Sequence, residues 1–174
     1  MRLPVLGQVR AAPPRRAREV RRQQLAPGAA GARRAAGPAG AGGRIEGSIG
    51  RHASDRRRMA VRADGRYAAT RFEVETVYDF LSLLWVRLET GRTHQVRVHM
   101  AHVGHPVFGD EVYGGRENRI RGIAPQFRGE ARTLLGMASR QMLHAGVLGF
   151  VHPVTGEKLQ FQAEPPEDMQ AVLE

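Results

Sequence analysis

The feature that most constrains the fold is a pair of adjacent strand-like segments in the middle of the chain. Residues 67–77 alternate in character, with Phe72, Val74 and Thr76 on one side, and residues 80–88 are apolar enough for a central strand. Asp79 marks a turn between them. Two strands joined by so short a connection predict an antiparallel hairpin.

A helix is predicted directly after the hairpin, over residues 91–103. Thr90 or Thr93 could cap its N-terminus, and Gly104 followed by Pro106 would end it. Its apolar stripe repeats at helical spacing and comprises Val96, Met100 and Val103.

The remaining segments complete an α+β prediction. Residues 116–139 are polar and weakly patterned, which predicts a long excursion with a short helix at most. Residues 143–151 and 158–163 read as two further strands joined by a turn, and a short terminal helix follows from Pro165. The predicted fold class is therefore α+β, a mixed, mostly antiparallel sheet with packed helices.

The first 43 residues differ from the rest in composition. They contain 11 Ala, 9 Arg, 7 Gly and 5 Pro, but no aromatic residue, Ser or Thr. Such a segment buries too little apolar surface to offset its ordering entropy. Four interpretations remain open: a disordered tail, an arginine-rich arm that touches RNA phosphates, out-of-frame translation of GC-rich DNA, and a mitochondrial transit peptide. The predicted organisation is a tail over residues 1–43 and one domain over residues 44–174.

The net charge of +10 is concentrated in that tail. Residues 1–43 carry nine basic residues and one acid, a net charge of +8, which leaves +2 for the other 131 residues. Lys158 is the only lysine, and a bias toward Arg follows from GC-rich codons. The isoelectric point is therefore weak evidence for a polyanionic partner.

Two further absences from the sequence exclude classes of site. There is no cysteine, so disulfides and cysteine-based metal sites are excluded. No apolar run approaches the roughly 20 residues needed to span a bilayer.

The most informative stretch is R-L-E-T-G-R-T-H-Q-V-R-V-H at residues 87–99, followed by G-H-P-V-F-G-D-E-V-Y-G at residues 104–114. This block closely resembles L-x-T-G-R-T-H-Q-I-R-V-H…G-H-P-x-x-G-D-x-x-Y-G of the RluA/RluD-type RNA pseudouridine synthases. Segments 49–52, 55–61, 69–70, 141–145 and 152–157 also resemble that family, in the same order. The resemblance covers about 130 residues, far more than a lone short motif.

Arg97 and Arg92 stand out on physical grounds alone. The helical neighbours of Arg97 are apolar to mildly polar, so we expect it to be at least half buried and to need an anionic partner. Arg92 and the first N–H groups of the helix form a positive pole suited to a phosphate. The alternative is that both are surface charges on an amphipathic helix, and the resemblance favours the functional interpretation.

The histidines of this block do not predict a metal site. His94, His99, His102 and His105 include pairs at i, i+3, but no cysteine or H-E-x-x-H arrangement accompanies them. A Ser-His-Asp hydrolase is also unsupported, because no serine lies in a G-x-S-x-G setting.

The resemblance implies a chemistry. Members of the family isomerise uridine in ribosomal or transfer RNA by breaking the C1′–N1 bond, rotating the uracil and rejoining it through C5, without metal or cofactor. The implied site contains Arg97 as the partner of an essential aspartate, with Arg92, His94, Gln95 and Leu143 binding substrate. It also implies RNA as partner, no membrane and a cytoplasmic location.

The essential aspartate of the family, in an R-L-D signature, has no counterpart in this sequence, and neither does the tyrosine that stacks on the target base. The five aspartates are Asp55, Asp64, Asp79, Asp110 and Asp168, and none follows Arg-Leu. We therefore expect a truncated synthase domain, with a non-catalytic RNA-binding remnant as the alternative. Arg97 is expected to face an open cavity or a solvent anion rather than a local acid.

Overall fold

The computed structural model describes residues 2–8 and 42–174. Its main sheet has six strands in the order β2-β5-β6-β1-β7-β8, and every pairing is antiparallel. The strands are β1 (Arg2–Gln8), β2 (Gly42–Glu46), β5 (Ala69–Val77), β6 (Leu81–Leu88), β7 (Val147–Val151) and β8 (Lys158–Gln162). A second, two-stranded sheet pairs β3 (Ile49–Arg51) with β4 (Met59–Val61).

The helices are α1 (Gln95–His102), α2 (Glu117–Ile120), α3 (Arg128–Met137) and α4 (Glu167–Leu173), with a 3₁₀ turn at Pro125–Phe127. Antiparallel sheets with packed helices confirm the predicted α+β class. In the part of the chain that is described, no helix is both long enough and apolar enough to cross a bilayer.

The predicted central hairpin is formed by β5 and β6. Phe72 and Val74 of β5 are buried, as are Leu84 and Val86 of β6, because alternate side chains of a strand share one face of the sheet. A register shift between Val74 and Thr76 interrupts the alternation near the turn.

Helix α1 covers the buried face of the hairpin. Val96 and Met100 pack into the cluster that Phe72, Val74, Leu84 and Val86 form, and Val103 packs against it from the side. The predicted apolar stripe is therefore confirmed. The helix also ends as predicted: Gly104 has a φ of +85°, and the N–H of His105 donates to the carbonyl of Met100 at 2.8 Å.

The N-terminal end of α1 differs from the prediction. Neither Thr90 nor Thr93 caps it, because the N-cap residue is His94, whose φ is +56° and whose side chain makes no capping bond. The helix consequently begins at Gln95, several residues later than predicted.

Residues 116–139 are more ordered than the sequence predicted. They contain α2, the 3₁₀ turn and the ten-residue helix α3. Ala131 and Leu135 are buried, and Leu134 packs against the same cluster, which also contains Phe108, Met142 and Met169. The spacing of these positions is helical, but Ala131 contributes little apolar surface. The sequence alone therefore does not predict the apolar face of α3.

Strand β1 corrects the prediction of a tail that does not pack. It lies between β6 and β7, with Leu3 paired to Val86 and Arg2 paired to Val147. Main-chain hydrogen bonding to both neighbours outweighs the composition of this short piece. The predicted boundary after residue 43 falls within β2. The prediction for residues 9–41 lies outside the described residues.

The β7–β8 hairpin carries an uncovered apolar face. Leu148 pairs with Phe161, and the rings of Phe150 and Phe161 stack with centroids 6.0 Å apart. These three side chains are between 43% and 55% exposed. A contiguous apolar face of this kind typically marks a contact surface.

Candidate functional site

Gln95 ties the start of α1 to the hairpin. Its side-chain oxygen accepts hydrogen bonds from the Thr90 hydroxyl at 2.7 Å and the Arg92 N–H at 2.9 Å. Its amide nitrogen donates to the Ala69 carbonyl at 2.9 Å and to the Thr70 hydroxyl at 3.0 Å. Because both ends of this buried side chain are engaged within the protein, its placement gives no support to the predicted contact with substrate.

His99 extends the same buried network. Its Nδ1 lies 2.9 Å from the Thr70 hydroxyl oxygen and its Nε2 lies 3.0 Å from the carbonyl oxygen of Gly47. Since the Gly47 carbonyl can only accept, Nε2 carries a proton and Nδ1 accepts from Thr70. Burial lowers the pKa of His99, so the neutral form is the one that this network stabilises.

The lowered pKa of His99 predicts a pH dependence of stability. The unfolded chain binds this proton near pH 6.5 and the folded chain at lower pH, so acidification favours unfolding. We expect the free energy of unfolding to fall as pH drops below about 6.5. His99→Gln should flatten that slope, because it removes a group whose pKa differs between the folded and unfolded states. Urea midpoints measured across the acidic range test this, and equal slopes in wild type and His99→Gln would contradict it.

Arg97 forms an ion pair that the sequence analysis did not foresee. Its Nε and one terminal nitrogen donate to the two carboxylate oxygens of Asp110, at 2.7 and 2.8 Å. The Arg97 side chain is 13% exposed, and that of Asp110 is fully buried. The hydrogen bonds to Asp110 raise the pKa of Arg97 further. The prediction that Arg97 lacks a local acid is therefore wrong.

The turn after α1 explains this pairing. Gly109 has a φ of +79°, and its N–H donates to the Gly115 carbonyl at 2.9 Å. The turn aims the carboxylate of Asp110 toward α1, where it also accepts the N–H of Tyr113 at 3.1 Å. The G-D-x-x-Y-G segment thus forms a turn that also presents a carboxylate to α1.

Gly109 and Gly114 provide a matched test of this turn. Both have a positive φ, but a Cβ on Gly109 would overlap the main-chain oxygen of Arg140, whereas a Cβ on Gly114 would meet no atom within 4 Å. Gly114→Ala should therefore cost about 1 kcal/mol of backbone strain. Gly109→Ala should cost at least about 2 kcal/mol more, because overpacking adds to that strain. Urea denaturation measures both, and equal losses would show that the close approach does not exist.

His94 and Tyr113 complete the cluster around Arg97. The Nδ1 of His94 lies 2.8 Å from the Tyr113 hydroxyl, which accepts the N–H of Met59 at 2.9 Å. The guanidinium of Arg97 lies 4.8 Å from the centre of the Tyr113 ring, within cation–π range. Burial and the charge of Arg97 lower the pKa of His94, which favours its neutral form. A left-handed residue other than glycine is uncommon, and such residues cluster at functional sites.

The other two predicted site residues lie apart from this cluster. Arg92 is bonded through its Nε to the carbonyl of Tyr67 at 3.0 Å. Leu143 packs against the apolar cluster under α1. The structure thus brings His94 and Arg97 together and adds Asp110 and Tyr113, which the sequence analysis did not assign to the site.

Similarity to known proteins identifies the family of this chain. The model of one protein family, described as RNA pseudouridylate synthase, matches residues 16–102, which is half of the chain. The chain belongs to the RNA pseudouridylate synthase family. The match to this family starts within the segment that was predicted to be a tail.

Curated relatives of the family agree. The chain is 46% identical over 129 residues to the ribosomal large subunit pseudouridine synthase D of Vibrio cholerae, covering 74% of this chain and 39% of the relative. It is 42% identical over 157 residues to the protein of that name from Xanthomonas campestris, covering 90% of this chain and 44% of the relative. The chain therefore spans about two fifths of the length of these synthases.

Solved structures of the same family share the fold. Human RNA pseudouridylate synthase domain containing 1 superposes with a TM-score of 0.58 at 23% identity, over 98% of this chain and 57% of the human one. Human RNA pseudouridylate synthase domain containing 4 gives 0.55 at 17% identity, over 99% and 60%. These similarities establish a common pseudouridine synthase fold.

Proposed function

We propose that this chain is the C-terminal part of the catalytic domain of a synthase that isomerises uridine to pseudouridine in ribosomal or transfer RNA in the cytoplasm. The proposal rests on the family relationship together with one observation: the motif block that resembles the family brings His94, Arg97 and Tyr113 together, with the Arg97 side chain 13% exposed. Neither a metal nor a cofactor takes part in the proposed reaction.

The aspartates support a second part of the proposal, that the chain alone does not turn over. Four of the five are paired with an arginine, in the pairs Arg57–Asp55, Arg62–Asp64, Arg97–Asp110 and Arg140–Asp168. The fifth, Asp79, lies in the turn before β6, whereas α1 follows the other end of that eight-residue strand. Eight residues of strand span about 26 Å, so Asp79 is too far from Arg97 to act beside it.

Arg97 retains a role in this proposal despite its bond to Asp110. Asp110 engages the Nε and one terminal nitrogen, and the second terminal nitrogen makes no hydrogen bond to the described residues. That nitrogen could donate to the essential carboxylate of a complete synthase while Asp110 holds the guanidinium in place. Asp110 would then be a positioning residue rather than a substitute for the essential aspartate.

The alternative function is RNA binding without any turnover, which the engagement of the aspartates also favours. Both functions require that the chain bind RNA, so binding is tested first. Fluorescence anisotropy with a uridine-containing ribosomal RNA stem-loop should show binding that weakens as salt increases, because phosphate contacts release counterions. Failure to bind at low salt would overturn both functions for this chain.

A further inference from the structure

The guanidinium of Arg58 has unmet hydrogen-bonding capacity next to the Arg97 cluster. Its Nε is buried, and no partner for it exists among the described residues. In that part of the chain, only the hydroxyl of Ser82 shares this condition, so Arg58 is the one charged group affected. A buried donor without a partner costs about 1–3 kcal/mol and therefore needs an explanation.

The backbone of Arg58 is held firmly in place. Its N–H donates to the Asp55 carbonyl at 3.0 Å, and its carbonyl accepts the N–H of His52 at 3.0 Å. The next residue, Met59, donates its N–H to the Tyr113 hydroxyl at 2.9 Å. These hydrogen bonds fix the main chain at Arg58 and at the residue that follows it. The guanidinium with the unpaired donor therefore projects from a fixed loop.

Two arginines share one aromatic ring at this place. The guanidinium of Arg58 lies 5.6 Å from the centre of the Tyr113 ring, and that of Arg97 lies 4.8 Å from it. Asp110 neutralises Arg97, whereas no acid of the described residues forms an ion pair with Arg58, whose charge acts on Asp55 only at longer range. The cluster therefore holds one guanidinium that no ion pair engages, which is the chemistry of an oxyanion site.

We propose that Arg58, stacked on Tyr113 beside Arg97, binds a phosphodiester group of the RNA backbone. The proposal rests on the proposed function for the source of the phosphate, but the anion site itself follows from a guanidinium that has neither an acceptor nor an ion pair among the described residues. The Arg58 side chain is half-buried, and a phosphate accepting from its two terminal nitrogens would give the guanidinium an anionic partner in the bidentate geometry that such groups favour. The contact would fix the position of the RNA strand and would not depend on the base sequence.

Arg57 provides a matched control in the same loop. It carries the same charge, its side chain is 91% exposed, and it lies 3.5 Å from Asp55. Arg57→Gln and Arg58→Gln therefore remove one charge each from adjacent positions. The two variants differ in the group that is removed. The guanidinium of Arg58 lies over the Tyr113 ring and has a buried donor without a partner, whereas the Arg57 side chain is exposed.

The first measurement is thermal unfolding of the full chain with inorganic phosphate replacing chloride at constant ionic strength. Phosphate should raise the Tm of the wild type and of Arg57→Gln, because binding to the folded state stabilises it. It should not raise the Tm of Arg58→Gln. Equal phosphate effects in all three proteins, or none in the wild type, would overturn the proposal and leave water as the partner of Nε.

The second measurement is RNA affinity by anisotropy. Loss of a charge-assisted bidentate contact should weaken binding by about tenfold in Arg58→Gln and reduce the salt dependence by about one phosphate contact. Arg57→Gln should change affinity much less, and equal losses in both variants would overturn the proposal. If phosphate acts through Arg58 but the wild type binds no RNA, the anion site stands and the proposed function fails. If RNA binds but Arg58→Gln has no effect, the proposed function stands and this inference fails.

Discussion

Replacing Arg97 by Met is expected to lower the free energy of unfolding by about 3–5 kcal/mol, because it leaves a buried carboxylate without its counter-charge. Asp110 has a fully buried side chain, and of the donors named here it would keep the N–H of Tyr113 after the substitution. The loss should appear as a lower urea midpoint at unchanged slope. Arg97→Met combined with Asp110→Leu should recover part of the loss, since removing both partners leaves no buried charge.

The Arg62–Asp64 pair provides the control. It has the same bidentate geometry, with both distances at 2.7 Å, but its side chains are 36% and 69% exposed. Arg62→Met should therefore cost less than about 1 kcal/mol, because solvent screens an exposed pair. A midpoint for Arg97→Met equal to that of Arg62→Met would show that the guanidinium of Arg97 is not paired with Asp110 in solution.

The second large effect is the absence of turnover. Incubated with uridine-containing ribosomal RNA, the chain should form pseudouridine at least about 10⁴-fold more slowly than a full-length relative such as the Vibrio cholerae synthase, because loss of a reacting group usually leaves little activity. Pseudouridine has the same mass as uridine, so liquid chromatography of the digested RNA must separate the two nucleosides by retention time before mass spectrometry detects them. The full-length relative under the same conditions is the positive control.

A positive result would need one further comparison to be informative. If product appears, each of the five aspartates should be changed to Asn in turn. Loss of product on changing Asp79, the one aspartate without an arginine partner in the described ion pairs, would contradict the geometric argument against it. Loss on changing Asp110 would instead have to be separated from unfolding by the urea measurement.

Local patterns in the sequence predicted local structure well. The alternation around Phe72 and Val74 predicted β5, and the stripe of Val96, Met100 and Val103 predicted how α1 packs. Gly104 predicted the end of α1 because only a residue tolerant of positive φ suits that position. In each case the side chains that form the pattern are also those that are buried.

Features that depend on distant residues were not predicted. The partner of Arg97 is 13 residues away across a turn whose direction depends on Gly109 and Gly115, and no periodicity encodes that direction. The start of α1 was misplaced because Gln95 bonds to Ala69 and Thr70 in the preceding hairpin, a tertiary arrangement that overrides the capping preference of Thr90 and Thr93. The sequence therefore placed His94 and Arg97 in one block, but it did not predict the bonds that Arg97 makes with Asp110.

The central position of β1 has a consequence for the order of folding. Its residues pair with β6 and with β7, so that Arg2 lies opposite both Arg87 and Val147, which are distant in the sequence. Until those partners are in place, β1 stays unpaired, and the entropy of closing both long loops falls on the last steps of folding. During that interval β6 has an open edge, which is a template for pairing with other chains. Folding should therefore depend on slow, late insertion of β1, and partly folded chains should associate through β6.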